Sequence, residues 1–259
     1  MKIITLLTDF GSKSHYAAVM KGVMLSLNPA AQLVDITHEV PPQDVFRGAW
    51  LLGEAAPYFP AGTIHLAVVD PGVGTDRACT AARLGDQFFV APDNGLLGIV
   101  ARRLPLLEAV RLEQPNYRRA VVSNTFHGRD IMAPAAAHLS LGVTLRELGP
   151  RIEALRPLPF PQVERGDDYI EGCVIWVDDF GNLVTNIARK ALPEPAAGRA
   201  VVTCGDCPLC DWVNTYAERP AGTRVVLFGS SDYLEIAVVQ GNAAAELGAG
   251  PGTPVRVQW

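Results

Sequence analysis

The chain has 259 residues, of which 49% are hydrophobic and 19% charged. That composition excludes a disordered or low-complexity polypeptide, and the length, enough for one large domain or two small ones, suffices to bury a core without disulfide or metal staples. The formal net charge of −5 offers no global electrostatic basis for binding nucleic acid or an anionic membrane.

Two further exclusions concern targeting. The longest stretches free of formal charge, Ala55–Val69 and Ile131–Leu145, are 15 residues each, short of the ~18 needed to span a bilayer. The apolar run after Met1, interrupted at Asp9, is too short for a secretory signal. Five cysteines are an odd count, and a reduced, cytoplasmic protein is expected.

In chain order, residues 1–148 read as α/β. Short apolar runs recur at Ile3–Thr8, Leu33–Ile36, Thr63–Val69, Phe88–Ala91 and Ala109–Leu112, with helical-period segments between several of them. Tyr16, Met20, Val23 and Met24 share one helical face, so a helix over 16–27 follows the first strand and stops at Asn28-Pro29. Alternating strands and helices predict a largely parallel, buried sheet. Four prolines (Pro150, Pro157, Pro159, Pro161) then mark residues 151–168 as an extended linker between a domain of residues 1–150 and one of 169–259. The second domain has short β-branched runs at 170–177, 183–187, 200–203, 224–228, 233–239 and 254–258, which predict a small barrel or sandwich.

Candidate chemistry lies at strand ends. Thr8-Asp9-Phe10-Gly11 follows the first strand, where Asp9 is placed to hold a sugar diol or, more plainly, to cap a helix. Val68-Val69-Asp70-Pro71-Gly72-Val73-Gly74-Thr75-Asp76-Arg77 lacks the lysine and glycine spacing of a phosphate loop. Its two glycines let Asp70 and Arg77 fold back on each other, as a functional pair or a structural one. His127, before Gly128 in Thr125-Phe126-His127-Gly128-Arg129-Asp130, has the most functional context of five histidines; a structural, hydrogen-bonded role is its alternative. His15, His38, His65 and His138 read as structural.

Asp178-Asp179-Phe180-Gly181-Asn182 and Gly241-Asn242-Ala243-Ala244 read locally as turns. Cys204, Cys207 and Cys210 have thiolate-cluster spacing but no second close cysteine pair; Asp206 and Asp211 are the candidates to complete a metal site, and a redox-prone surface loop is the preferred reading.

Together these motifs, with Met20-Lys21-Gly22 and Ala91-Pro92-Asp93-Asn94-Gly95, resemble one family over nearly the whole chain: the S-adenosyl-L-methionine hydroxide adenosyltransferases, relatives of the fluorinating and chlorinating enzymes. The resemblance implies an N-terminal α/β domain, a C-terminal β-barrel domain, and a homotrimer with substrate bound between the N-domain of one subunit and the C-domain of its neighbour. It implies hydrolysis of S-adenosyl-L-methionine to adenosine and methionine, with no cofactor and no metal. Asp70, Arg77 and His127 would surround the attacking water, and Asp9 would hold the ribose hydroxyls. Asp178 would face the amino acid portion, Asn182 and Tyr216 the adenine, and Ser230 the methionine carboxylate; Asn94, Thr125 and Phe126 join the substrate contacts. Asp70 and His127 favour water over a halide as nucleophile. The chain departs from the pattern at Ser14, where the family usually has Asp, and at Ser231, in place of an Arg of the fluorinating relatives. The three clustered cysteines have no counterpart.

Overall fold

The computed structural model describes residues 2–193 and 200–259. The chain divides into two compact units, residues 1–159 and 160–259. Residues 151–163 form no helix. Their first part lies along the first unit, where the Arg156 N–H donates to Asp93 at 2.8 Å. On the second unit, Asn186 donates to the Pro161 carbonyl at 3.1 Å.

The first unit holds strands β1 (Ile3–Thr8), β2 (Gln32–Thr37), β3 (Ile64–Val68), β4 (Cys79–Leu84), β5 (Gln87–Pro92) and β6 (Leu106–Arg111) in the order β2-β1-β3-β5-β4-β6. The pairs β1–β2, β1–β3 and β3–β5 are parallel, while β4 is antiparallel to both neighbours. The expected parallel sheet is therefore present, with one reversed strand that the sequence pattern did not reveal. Thr80, Ala81 and Ala82 make β4 too weakly apolar to stand out, and it joins β5 through a two-residue turn opened by Gly85 at φ +58°.

Helix α1 (Tyr16–Leu27) buries Ala17, Met20 and Met24 and ends at Asn28, as its periodicity predicts. Helices α2 (Val45–Ala55), α3 (Gly98–Arg103), α4 (Ala133–Ser140) and α5 (Leu145–Leu148) complete the unit. A single π-helical turn, Gly128–Met132, leads into α4 and lets Pro134 sit at its start, where a missing N–H costs nothing.

The second unit is antiparallel. Strands β7 (Glu164–Arg165), β8 (Tyr169–Val177), β9 (Leu183–Ala188), β10 (Val201–Cys204), β11 (Cys207–Leu209), β12 (Arg224–Phe228), β13 (Tyr233–Val238) and β14 (Pro254–Gln258) run in the order β11-β10-β14-β8-β9-β13-β12, with β7 on β8. The chain just beyond β11 turns back onto β12: Val213 donates to Val226 O and Val226 to Asp211 O, both at 3.0 Å. The sheet is thereby nearly closed, the barrel-like form expected from short alternating runs. Its interior is filled by Ile170, Val174, Leu183, Val226, Ile236 and Val255 among others. No helix among the described residues is long and apolar enough to cross a membrane.

One buried histidine couples this fold to pH. His65 on β3 is fully buried, hydrogen-bonded through Nδ1 to Thr5 Oγ1 at 2.8 Å and stacked on Phe89. Burial holds its pKa down to about 4 from the ordinary 6.5. The unfolded chain therefore binds the extra proton first, and stability is complete above pH 6.5 and falls as pH drops toward 4. Denaturant unfolding is expected to show a loss of roughly 3 kcal/mol across that window, with a flatter slope in His65→Gln.

Candidate active site

Each unit carries a cleft lined by several of the candidate site residues. In the first unit, a cleft of about 410 Å³ is lined by Asp9, Asp70, Thr125, Phe126 and His127, together with Gln43 and with Tyr16, expected only on the apolar face of a helix. Asp9 follows β1 and Asp70 follows β3, neighbouring parallel strands whose carboxyl ends open together. Asp9 does not cap α1: its Oδ2 accepts the Gln43 N–H at 2.8 Å, and α1 begins at His15 without a side-chain cap. Phe10, Tyr16 and Phe126 pack edge to face, with centroids 5.2–5.8 Å apart, and form the apolar wall.

Asp70, Arg77 and His127 form one hydrogen-bonded cluster. Arg77 Nε donates to Asp70 Oδ1 at 2.9 Å and Nη2 to Oδ2 at 2.5 Å, a bidentate pair whose side chains are 5% and 6% exposed. Nη2 also meets His127 Nδ1 at 2.9 Å. Guanidinium has no acceptor, so Nδ1 must present its lone pair and the ring proton resides on Nε2. Burial and the charge of Arg77 both lower the His127 pKa, so the ring is neutral at pH 7. Burial alone would lower the pKa of Arg77, but its bonds to Asp70 and Cys79 raise it. Asp70 therefore presents lone pairs beyond the cluster, while neutral His127 offers a donor at Nε2.

A fourth member was missed. Cys79 Sγ accepts from Arg77 Nη1 at 3.1 Å and lies 4.0 Å from His127 Nδ1. It stands two residues after Arg77 on an extended segment, a spacing that puts side chains on one side and was readable. Burial raises its pKa, so the thiol stays protonated. Asn94 lines neither cleft: Nδ2 donates to Val69 O at 2.8 Å and Oδ1 accepts from Leu96 N, which ties the ends of β3 and β5 together beneath the cluster.

The second unit has a cleft of about 800 Å³ lined by Asp178, Asn182, Tyr216, Ser230 and Glu235, with Phe180 and Phe228 as aromatic walls. Much of Asp178 serves its own turn, with Oδ1 accepting from Phe180 N and Asn182 N and Oδ2 from Asn182 Nδ2 at 2.8–2.9 Å. The two motifs that looked like plain turns meet here: Ala244 N donates to Gly181 O at 2.9 Å, and Asn242 caps the short helix α6 (Ala243–Leu247) through Ala245 N. Glu235, 7% exposed on β13, accepts a hydrogen bond from the Tyr216 hydroxyl. Its signal was an acid inside the apolar run Leu234–Val238. Cys204 and Cys207 face each other across β10 and β11, and no group of three or more His, Cys, Asp or Glu side chains among the described residues is arranged to hold a metal.

Comparison with known proteins resolves the family. Models of the SAM hydroxide adenosyltransferase N-terminal and C-terminal domains match residues 4–149 and 172–256. The chain belongs to this family. It is 41% identical to the (R)-S-adenosyl-L-methionine hydrolase of Thermus thermophilus over 99% of its own length and 100% of that protein's. It is 42% identical to the enzyme of the same name from Salinispora tropica, over 98% and 97%. A fluorinase from an Actinoplanes species is 29% identical over 91% and 90%. The fold matches an uncharacterized conserved protein from Thermotoga maritima with a TM-score of 0.93, at 36% identity and 99% and 100% coverage.

The loop between Asp70 and Arg77 is intolerant at Gly74. Its φ is +80°, and an added Cβ would lie 2.4 Å from the Asn124 carbonyl oxygen. Gly74→Ala is expected to cost on the order of 1–3 kcal/mol and to lower the melting temperature measurably, whereas Gly22→Ala, in open space on α1, should not.

Proposed function

We propose that this protein hydrolyses S-adenosyl-L-methionine, as the (R) epimer at sulfur, to adenosine and L-methionine. What carries the reading is the hydrogen-bonded Asp70–Arg77–His127 cluster at a nucleoside-sized cleft, in a chain 40–42% identical to hydrolases named for that substrate. In this reading the water oxygen forms a bond to the ribose C5′ while the C5′–S bond breaks. The bonding pair leaves on sulfur, which becomes the neutral thioether of methionine. A sulfonium leaves without protonation, so the protein has only to orient the water and take its proton. Asp70 accepts that proton, His127 Nε2–H orients the water from the other side, and Arg77 stabilises the developing hydroxide through its charge. Asp9 holds the ribose hydroxyls, while Thr125 and Phe126 wall the nucleoside and Asn94 braces the strand ends beneath it.

The second cleft supplies Asn182 and Tyr216 for the adenine and Asp178 and Ser230 for the methionine end. Assembly as a homotrimer, with the N-domain of one subunit facing the C-domain of its neighbour, belongs to the same reading and is tested by light scattering of the purified protein. A monomer with full activity would rule that assembly out.

Incubation with S-adenosyl-L-methionine in chloride-free buffer, followed by chromatography, is expected to yield adenosine and methionine in equal amounts. Asp70→Asn and His127→Ala should each lower kcat by a factor of 100 or more with KM changed less than tenfold. Intact substrate with the wild-type protein would sink the reading, and a 5′-halogenated nucleoside appearing in chloride would replace it. Because His127 must stay neutral to accept from Arg77, activity should be flat around pH 7 and fall on acidification with a midpoint below the ordinary histidine value of 6.5. A midpoint above 6.5 would contradict the assigned tautomer.

A further inference from the structure

The second cleft is lined by a largely buried carboxylate, Glu235, which is 7% exposed. One of its oxygens, Oε1, accepts the Tyr216 hydroxyl. Asp178 shares the cleft, so two acids face one space whose walls include Phe228, Leu227 and Val238. A largely buried carboxylate is costly to keep charged without a positive partner. Burial and the nearby Asp178 charge both push the Glu235 pKa up, a strain that an incoming positive group relieves.

The complementary observation concerns cations. No lysine or arginine is among the described residues lining this cleft or the cleft of the first unit. Arg189 stacks on the Phe228 ring at 4.3 Å but is paired with Asp232 at 3.0 Å, and Arg77 is committed to Asp70. To a carboxylate, the second cleft offers only neutral groups such as the Ser230 and Thr215 hydroxyls and the Asn214 amide.

We propose that Glu235 is a substrate-recognition residue that selects the positive charge of the substrate, and that the site makes no charged contact with the α-carboxylate. The substrate class is then adenosyl sulfoniums bearing an amino group, with or without the carboxylate. The proposal rests on the adenosyl-hydrolase reading. A site that holds a charged group by a dedicated ion pair rejects an analogue lacking that group, because the partner is left buried and unpaired. A site without such a partner has nothing to lose.

The test compares kcat/KM for S-adenosyl-L-methionine and for its decarboxylated counterpart, which keeps the sulfonium and the amino group, both racemic at sulfur. The wild-type protein is expected to release adenosine from the two with kcat/KM within tenfold of each other. Glu235→Gln, which keeps an acceptor for Tyr216, should raise KM for both by about tenfold or more, with kcat within threefold. A 100-fold or greater loss on decarboxylation would overturn the proposal and leave the hydrolase reading intact, as would an unchanged KM in a folded Glu235→Gln protein. Adenosine from neither compound would instead refute the hydrolase reading itself. The comparison of substrates uses only the wild-type protein and stands if the variant does not fold.

Discussion

Arginine donates hydrogen bonds and cannot accept them, and that asymmetry orders the first cleft. Arg77 gives Nε and Nη2 to Asp70, Nη2 to His127 and Nη1 to Cys79. Each partner must turn an acceptor toward it, which fixes the carboxylate, the imidazole tautomer and the thiol together. The Arg77 and Asp70 side chains are nearly buried, so the bonds between them are stronger than they would be in water, and removing one partner leaves the other's charge uncompensated. The neighbouring elements bring these partners to the guanidinium. β3 delivers Asp70, the glycine-containing loop returns the chain, and β4 begins just after Arg77. A π-helical turn begins just beyond His127.

The two clefts differ in the work their chemistry suits. The first combines a proton acceptor, an imidazole N–H donor and a fixed positive charge, the set a displacement by water requires. The second is wider, walled by aromatic and aliphatic side chains, and holds acids and amides with no base among the described residues lining it. Its rigidity comes from local hydrogen bonds: Asp178 closes its own turn, and Gly181, at φ +84°, lets the Asn242 side chain approach closely. Groups that look decorative in isolation are therefore the supports of the cleft wall.

How much was legible depended on the strength of the local signal. α1 was readable because its apolar spacing and its Asn-Pro stop agree, and β1, β3, β8 and β13 because runs of branched residues are bounded by turn formers. β4 was not, since alanine and threonine carry little hydrophobic contrast and its partners lie on either side only in the folded sheet. Asp70 and Arg77 could be named as candidates from residue type and their place after a strand, and His127 from its place before Gly128 at the head of a helix. Cys79 and Glu235 were passed over, although each had a weak signal: a two-residue offset from Arg77 in one case, an acid in an apolar run in the other.

The sequence by itself determined the fold class of both halves, the order of the motifs and the chemical types available at the strand ends. Those properties are local, set by side-chain pattern and backbone preference within a few residues. Tertiary structure alone decided which nitrogen of His127 holds the proton, that Asn94 braces the strands and lines neither cleft, and that Glu235 lines a cleft while holding the Tyr216 hydroxyl. Each of those depends on an atom brought from tens of residues away, where direction and burial matter more than residue type, and no pattern along the chain encodes that geometry.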